Sequence, residues 1–211
     1  MSKKRIICFL GPQGSGKGTQ ATKLSKRLGL PHLSSGELFR SNIEQETSIG
    51  LEVKGYLDSG QYVPDTILKQ LLEETLEGSM YAGGVILDGV PRTLPQKEVL
   101  DSLFSEYEVI YIDIDDDEVV KRLSGRLQCT DGHIYHTEYN PPIEEGVCDI
   151  DKLSLTKRAD DTPELIEKRL QNFHEKTQPL LDAYKKEGKV HVINGTETID
   201  AVSTQIEKVM Q

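Results

Sequence analysis

The sequence has no excess of basic charge. Its 25 Lys and Arg stand against 35 Asp and Glu, a formal net charge of −10. A general nucleic-acid binder carries the opposite balance, so no nucleic-acid partner is expected. Cysteine is scarce and odd in number, at Cys8, Cys129 and Cys148. That fits a reducing compartment and not a disulfide framework. No hydrophobic run approaches the roughly 20 residues that a membrane span needs, so no membrane partner is expected. In the opening stretch MSKKRIICFLGP the apolar run covers only residues 6–10, too short for the h-region of an export signal. Together these point to a cytoplasmic protein. Internal repeats and low-complexity segments are also missing, and no charge block is long enough to suggest a disordered tail.

What the chain does have is 36% hydrophobic residues, spread along its length. With 211 residues this suits one compact domain carrying insertions. Strand-like apolar runs recur as RIICFL, HLSS, GVILDG, EVIYIDI and VHVIN. Segments with helical spacing lie between them. The alternation predicts an α/β fold, a five-stranded parallel sheet covered on both faces by helices. In the long helical pattern that starts at Pro163, Pro179 predicts a kink and Gly188 a stop. Two segments break the alternation. Residues near 35–75 hold only helical patterns, and residues near 126–162 are irregular, as a lid or binding insertion is. The acidic run DIDDDE, residues 113–118, follows a strand and opens a helix, so it reads as N-capping and dipole pairing.

GPQGSGKGTQ, residues 11–20, nearly spells the phosphate-binding loop G-x-x-x-x-G-K-[ST]. It lies between a strand pattern and a helix pattern. Such a loop turns several backbone N–H groups, and the positive end of a helix, toward one point. Lys17 can then reach the terminal phosphates. The rule breaks at Gly18, where a magnesium-holding Ser or Thr is usual. The metal should then rest on nucleotide oxygens and water, with Thr19 left to help a phosphate.

The arginines are placed unevenly. Of Arg5, Arg27, Arg40, Arg92, Arg122, Arg126, Arg158 and Arg169, the last six fall in the stretches LSSGELFR, LDGVPRTLPQ, RLSGR and KRADD or in the helix pattern after them, while lysines are scattered over helix faces. A guanidinium fork binds phosphate bidentately. An acidic chain that groups its arginines this way builds one polyphosphate clamp.

The loop with glycine after the lysine resembles that of the nucleoside monophosphate kinases. LSSGELFR, GQYVPD, LDGVPRTLPQ, RLSGR, HIYHTEYNPP and KRADD narrow the resemblance to the adenylate kinase family of the long-lid type. They run in the family's order over nearly the whole chain. The resemblance implies a P-loop core at 1–34, 64–125 and 163–211, an NMP-binding insertion at 35–63 and a lid at 126–162. It implies a monomer that moves a phosphoryl group reversibly from Mg·ATP to AMP, giving two ADP. By the same resemblance Gly14, Ser15, Gly16, Lys17, Gly18 and Thr19 hold the ATP phosphates. Arg122, Arg126, Ile134 and Tyr135 contact ATP, and Gly195 packs on its adenine. Asp88 orients magnesium through water. The AMP side falls on Ser35, Arg40, Gln61, Tyr62, Val63, Gly89, Val90, Pro91, Arg92 and Gln96. Gln96, with an amide donor and acceptor, suits the adenine edge, and Arg158 and Arg169 bridge the two nucleotides. Lys17, Arg92, Arg126, Arg158 and Arg169 are thus the catalytic set. Asp160 and Asp161 orient Arg158 or hold the lid shut; the same DDTPEL run also offers helix caps before Pro163. Val90 stands where the family usually has Phe, which implies looser packing near AMP. Two insertions facing one another imply closure that excludes water, with reopening as the slow step.

Long-lid relatives often hold zinc with C-x-x-C followed by C-x-x-C or C-x-x-D. Here Cys148 and Asp151 keep the second half, but after Cys129 the next cysteine is replaced by Gly132. Three ligands remain where structural zinc takes four. Asp131, His133 or His136 is the candidate fourth, although His136 better fits packing within the lid. A metal-free lid held by polar hydrogen bonds is the first expectation, and structural zinc the second. Cys8 reads as core. Two other functions compete. A UMP/CMP kinase is opposed by the long lid and by RTLPQ. A non-catalytic nucleotide-binding module is opposed by the retained arginines, and a GTP switch by the lack of N-K-x-D.

Overall fold

The computed structural model of the chain describes residues 4–210; the outer limits of the expected core, 1 and 211, lie outside them. Five strands form the central sheet: β1 (Arg5–Leu10), β2 (His32–Ser34), β3 (Gly84–Asp88), β4 (Glu108–Asp113) and, last in the chain, Val190–Asn194. Their order is β2-β3-β1-β4 followed by Val190–Asn194, and every pairing is parallel. Each predicted strand run is one of these five.

Strand period explains the two-sided core. Ile6, Cys8 and Leu10 of β1 enter one apolar cluster with Val85, Leu87, Val109 and Tyr111. Ile7 and Phe9 enter the other with Ile86, Ile110 and Ile112. Burial on both faces is why these strands read as continuous apolar runs. The second face is closed by α1 (Lys17–Leu28), through Ala21 and Leu24, and by the last helix, Ile199–Val209, through Val202 and Ile206.

The insertion after β2 is helical, with α2 (Ser35–Glu44) and α3 (Ser48–Asp58), and α4 (Asp65–Leu76) returns the chain to the core. Caps fix these starts: the Ser34 side chain accepts from Glu37 N–H, and that of Thr47 from Gly50 N–H. Beyond β3, α5 (Leu94–Leu103) leads to β4, and α6 (Asp116–Ser124) follows. Asp115 caps α6 by accepting from Glu118 N–H, so the acidic run does serve as a helix start. The second insertion, expected from sequence as a lid, then folds on a short antiparallel pair, β5 (Arg126–Gln128) and β6 (Ile134–His136).

Thr162 caps α7 (Pro163–Asn172), which passes through a π turn (Phe173–Thr177) into α8 (Gln178–Glu187). Where a kink is expected at Pro179, the helix carries a widened turn just before it. Proline has no N–H for the carbonyl four residues back, and the ladder loosens there. Gly188 ends α8 in the left-handed region, as expected. Then come β7 (Val190–Asn194) and α9 (Ile199–Val209), the strand and helix named above. Among the described residues no helix is long and apolar enough to cross a membrane.

Candidate active site

In an open parallel sheet, ligands bind at the carboxyl ends of the strands. A cleft of about 620 Å³ opens at that edge. It sits in the size range of small-molecule sites. Gly14, Ser15, Gly16, Lys17, Gly18, Thr19, Asp88, Arg122, Arg126, Ile134, Tyr135 and Gly195 line it. Arg40, Tyr62, Gly89, Pro91, Arg92, Arg158 and Arg169 line it too, and all of these except Pro91 also border an adjoining hollow of about 90 Å³. Ser35, Gln61, Val63, Val90 and Gln96 line the smaller hollow. The structure therefore gathers every nucleotide-site residue expected from sequence at two spaces that share lining residues, while the zinc candidates Cys129, Cys148 and Asp151 lie apart from both.

The loop after β1 delivers the chain to α1, whose first residue is Lys17. Lys17 Nζ donates to the carbonyls of Gly11 at 2.8 Å and Pro12 at 2.7 Å. Burial pushes its pKa down to about 8; Asp88 opposes this, while Arg92 and Arg126 add to it. Asp88 ends β3 opposite Phe9 on one side and Ser34 on the other, which places it beside the loop. Burial raises Asp88, but His32, Lys17 and Arg92 outweigh it and leave its pKa low. His32 Nε2 lies 3.7 Å from Asp88 Oδ2, an ion-pair distance too long for a hydrogen bond. A Cβ on Gly18 would lie 3.2 Å from Asp88 Oδ2. The residue that breaks the loop pattern is thus the one that leaves room under the carboxylate.

Arg92 is held at several points. Its backbone N–H donates to Gln96 Oε1 at 2.7 Å, and its Nε–H to Gly89 O at 2.7 Å. Its guanidinium lies 5.4 Å from the Tyr62 ring centre. Gln96 is buried, and with its oxygen engaged on Arg92 its amide N–H groups are what it offers outward. Ser35 Oγ–H donates to Gly89 O at 3.1 Å. Val90 is buried in the apolar cluster with Phe39, Val63 and Leu68.

The remaining arginines are organised by two aspartates. Arg126 grips Asp161 bidentately at 2.8 and 2.6 Å. Arg158 grips Asp160 likewise at 2.9 and 2.8 Å. Arg169 joins both, through the Asp160 carboxylate and carbonyl and, at 3.5 Å, Asp161. The expected orienting pair therefore holds three arginines, and Thr162 supplies the cap. Burial raises Asp160, but Arg158 and Arg169 hold it well below the usual carboxylate range. Like charges crowd here as well. Burial and Arg158 lower both Arg40, to about 10, and Arg126.

In the lid, Cys129, His133, Cys148 and Asp151 bring four ligand atoms within 4.8 Å of one another. His133 Nδ1 lies 2.8 Å from Asp151 Oδ2, 3.4 Å from Cys129 Sγ and 3.5 Å from Cys148 Sγ, and Cys129 Sγ is 3.1 Å from Asp151 Oδ2. Of the three candidates left open, His133 is the one that completes the group. His136 instead accepts from the backbone N–H groups of Glu138 and Tyr139, as lid packing requires.

Sequence reasoning missed Tyr139, Thr177 and residues 197–200 as cleft-lining positions. The last directly follow Gly195 and share its loop, which is the signal that was there to use. Tyr139 stacks under Arg122, 5.5 Å from its ring centre, and nothing in the spacing announces that.

A family model described as adenylate kinase matches residues 9–189. Several curated relatives bear the same name. That of Ruminiclostridium cellulolyticum is 39% identical over 97% of this chain and 98% of its own length. That of Methanothrix thermoacetophila is 43% identical over 97% of both. That of Streptomyces coelicolor is 41% identical over 93% of this chain and 94% of its own. A glycine-rich loop before α1, arginines gathered at one cleft and an inserted hairpin on one parallel sheet agree with these matches: the chain belongs to the adenylate kinase family.

Proposed function

We propose that this chain transfers the γ-phosphoryl group of Mg·ATP to AMP, reversibly, giving two ADP. The observation that carries the proposal is the convergence of Lys17, Arg40, Arg92, Arg126, Arg158 and Arg169 on one cleft with a phosphate loop at one end and a buried amide, Gln96, at the other. Phosphoryl transfer through a loose transition state asks for alignment and positive charge, not for a covalent catalyst. The loop and Lys17 hold the donor phosphates. Arg40 and Arg92 hold the acceptor phosphate, and Gln96 turns its amide to the adenine. Arg126, Arg158 and Arg169 stand between them and stabilise charge on the moving group. Magnesium supplies charge neutralisation on the nucleotide phosphates. Asp88, above the open space at Gly18, fits the task of holding its water.

Residues 35–63 and 126–162 serve as acceptor-side and donor-side covers on a core of 1–34, 64–125 and 163–211. A monomer is the state that the resemblance to the long-lid type implies. Three free cysteines support the cytoplasmic assignment. The lid also carries a fitting set for structural zinc. Edges of a tetrahedron at zinc–sulfur and zinc–nitrogen bond lengths are roughly 3.2–3.8 Å; four of the lid contacts lie at 2.8, 3.1, 3.4 and 3.5 Å, and all the ligand atoms lie within 4.8 Å of one another. Hydrogen bonds from Cys148, Leu153 N–H, Cys129 and His133 outweigh burial and keep Asp151 ionised, as a ligand must be. Zinc there would fold the lid and take no part in the transfer.

The test is ADP formation from Mg·ATP with AMP, UMP, CMP and GMP in parallel. AMP should be preferred by at least two orders of magnitude. Preference for a pyrimidine acceptor would overturn the specificity, and no turnover with any acceptor would overturn the enzyme.

A further inference from the structure

Thr177 is one of the few polar residues that the fold buries almost completely, at 3% exposure. It ends the π turn and lies far in sequence from everything it touches. Its Oγ1 is 2.8 Å from the Arg92 carbonyl oxygen and 3.0 Å from the Tyr62 hydroxyl. A threonine hydroxyl has one hydrogen. The carbonyl cannot donate, so that hydrogen goes to Arg92 O, and the Tyr62 O–H donates to Thr177. The chain of bonds has one direction: Tyr62 to Thr177 to Arg92. It joins three parts of the molecule: the end of the 35–63 insertion, the turn between α7 and α8, and the loop after β3. Tyr62 also lies with its ring 5.4 Å from the Arg92 guanidinium and 5.5 Å from Lys176 Nζ. Arg92 is therefore held at its guanidinium by the Tyr62 ring and at its carbonyl by Thr177.

We propose that Thr177 is a positioning residue for the acceptor phosphate site, and that its hydroxyl, with that of Tyr62, latches the acceptor-side insertion to Arg92. The inference rests on the assignment of Arg92 to the AMP phosphate. Thr177 touches neither nucleotide in this scheme. It sets where the Arg92 backbone sits, and so where the guanidinium points. Release of the latch frees the insertion from the arginine it serves. Since Arg169 lies on α7, directly before the π turn, the same turn connects the acceptor arginine with one that bridges both substrates.

The test compares steady-state kinetics of Thr177→Val, Thr177→Ser, Tyr62→Phe and Arg92→Ala. Valine keeps the shape and removes both hydrogen bonds; serine restores them. Thr177→Val should raise KM for AMP about ten-fold and lower kcat several-fold, with KM for ATP changed less than two-fold. Thr177→Ser should recover most of this, and Tyr62→Phe should give a smaller rise confined to AMP. Equal shifts in both KM values, or no recovery with serine, would mean a merely structural threonine and would overturn the inference. So would wild-type kinetics in Thr177→Val. If Thr177→Val fails to fold, judged by circular dichroism, Tyr62→Phe alone decides: an unchanged KM for AMP overturns the latch. Arg92→Ala separates the two levels. If it leaves KM for AMP unchanged, the assignment of Arg92 fails, whereas a large shift there with none in the Thr177 and Tyr62 variants sinks the latch alone.

Discussion

Arg126 and Lys17 are both enclosed cations, but they are held differently. The Arg126 side chain is 11% exposed, and its fork is filled by Asp161, itself 3% exposed. A pair this enclosed is only weakly screened by salt and is geometrically fixed. Arg126→Ala should lower kcat about 100-fold or more, the cost of one preorganised charge on the transition state. Near-normal turnover in a folded variant, checked by circular dichroism, would remove Arg126 from the catalytic set. Lys17 has only loop carbonyls as hydrogen-bond acceptors at short range, and its pKa is down at about 8. A polyphosphate favours its charged form. Affinity for ATP is therefore full below that value and falls as pH rises through it. Between pH 7 and 9 the Kd for ATP, read by calorimetry, should weaken about ten-fold, the linkage expected of one proton. Lys17→Met should bind less tightly at pH 7 and lose this pH step. A flat profile in the unaltered protein would show that Lys17 stays charged throughout.

At the scale of elements, most of the sheet and its helices were legible because their signals were long enough to repeat, and the three-residue β2 was legible from its place in the strand–helix alternation. The β1, β3 and β4 runs are buried on both faces, so their hydrophobicity is unbroken and unmistakable. The lid hairpin was not legible, since β5 and β6 have three residues each and no alternation can be read from three. The fourth member of the Cys/His/Asp cluster was hidden for a related reason. Cys129 and His133 meet only because Gly132, at φ 87°, turns the chain so that Cys129 N–H reaches His133 O. Clamp residues were readable from residue type and motif, but the choice of Asp160 for Arg158 and Arg169, and of Asp161 for Arg126, belongs to tertiary packing. The widened turn before Pro179 was readable as a break and not as a π turn. The lid carries its own prediction. Protein purified without chelator should contain about one zinc per chain, and His133→Ala together with Cys148→Ala should abolish it. Zinc well below stoichiometry in the unaltered protein would leave the four groups as a hydrogen-bonded cluster.

The whole molecule is acidic, yet its cleft concentrates positive charge. Lys17, Arg40 and Arg126 are each lowered by neighbouring arginines as well as by burial. Asp88, Asp160 and Asp161 counter the like charges, but burial outweighs them, so the unliganded cleft holds desolvated positive charge. A multivalent anion should relieve it without any help from a base or sugar. Inorganic tripolyphosphate at about a hundred times its Kd should raise Tm by about 5–10 °C, from roughly 2.7 kcal/mol of binding in a chain of this size. Sodium chloride at matched ionic strength should not. Equal shifts with both salts would mean that general screening, and no cleft site, is responsible. The same desolvated charge bears on how long a molecule lasts. Opening is easiest for the copy with nothing between its arginines, and opening is what a protease or an aggregating neighbour needs. Loaded copies persist and idle ones are the first to be lost, so the standing amount of this protein follows the supply of the anions it holds.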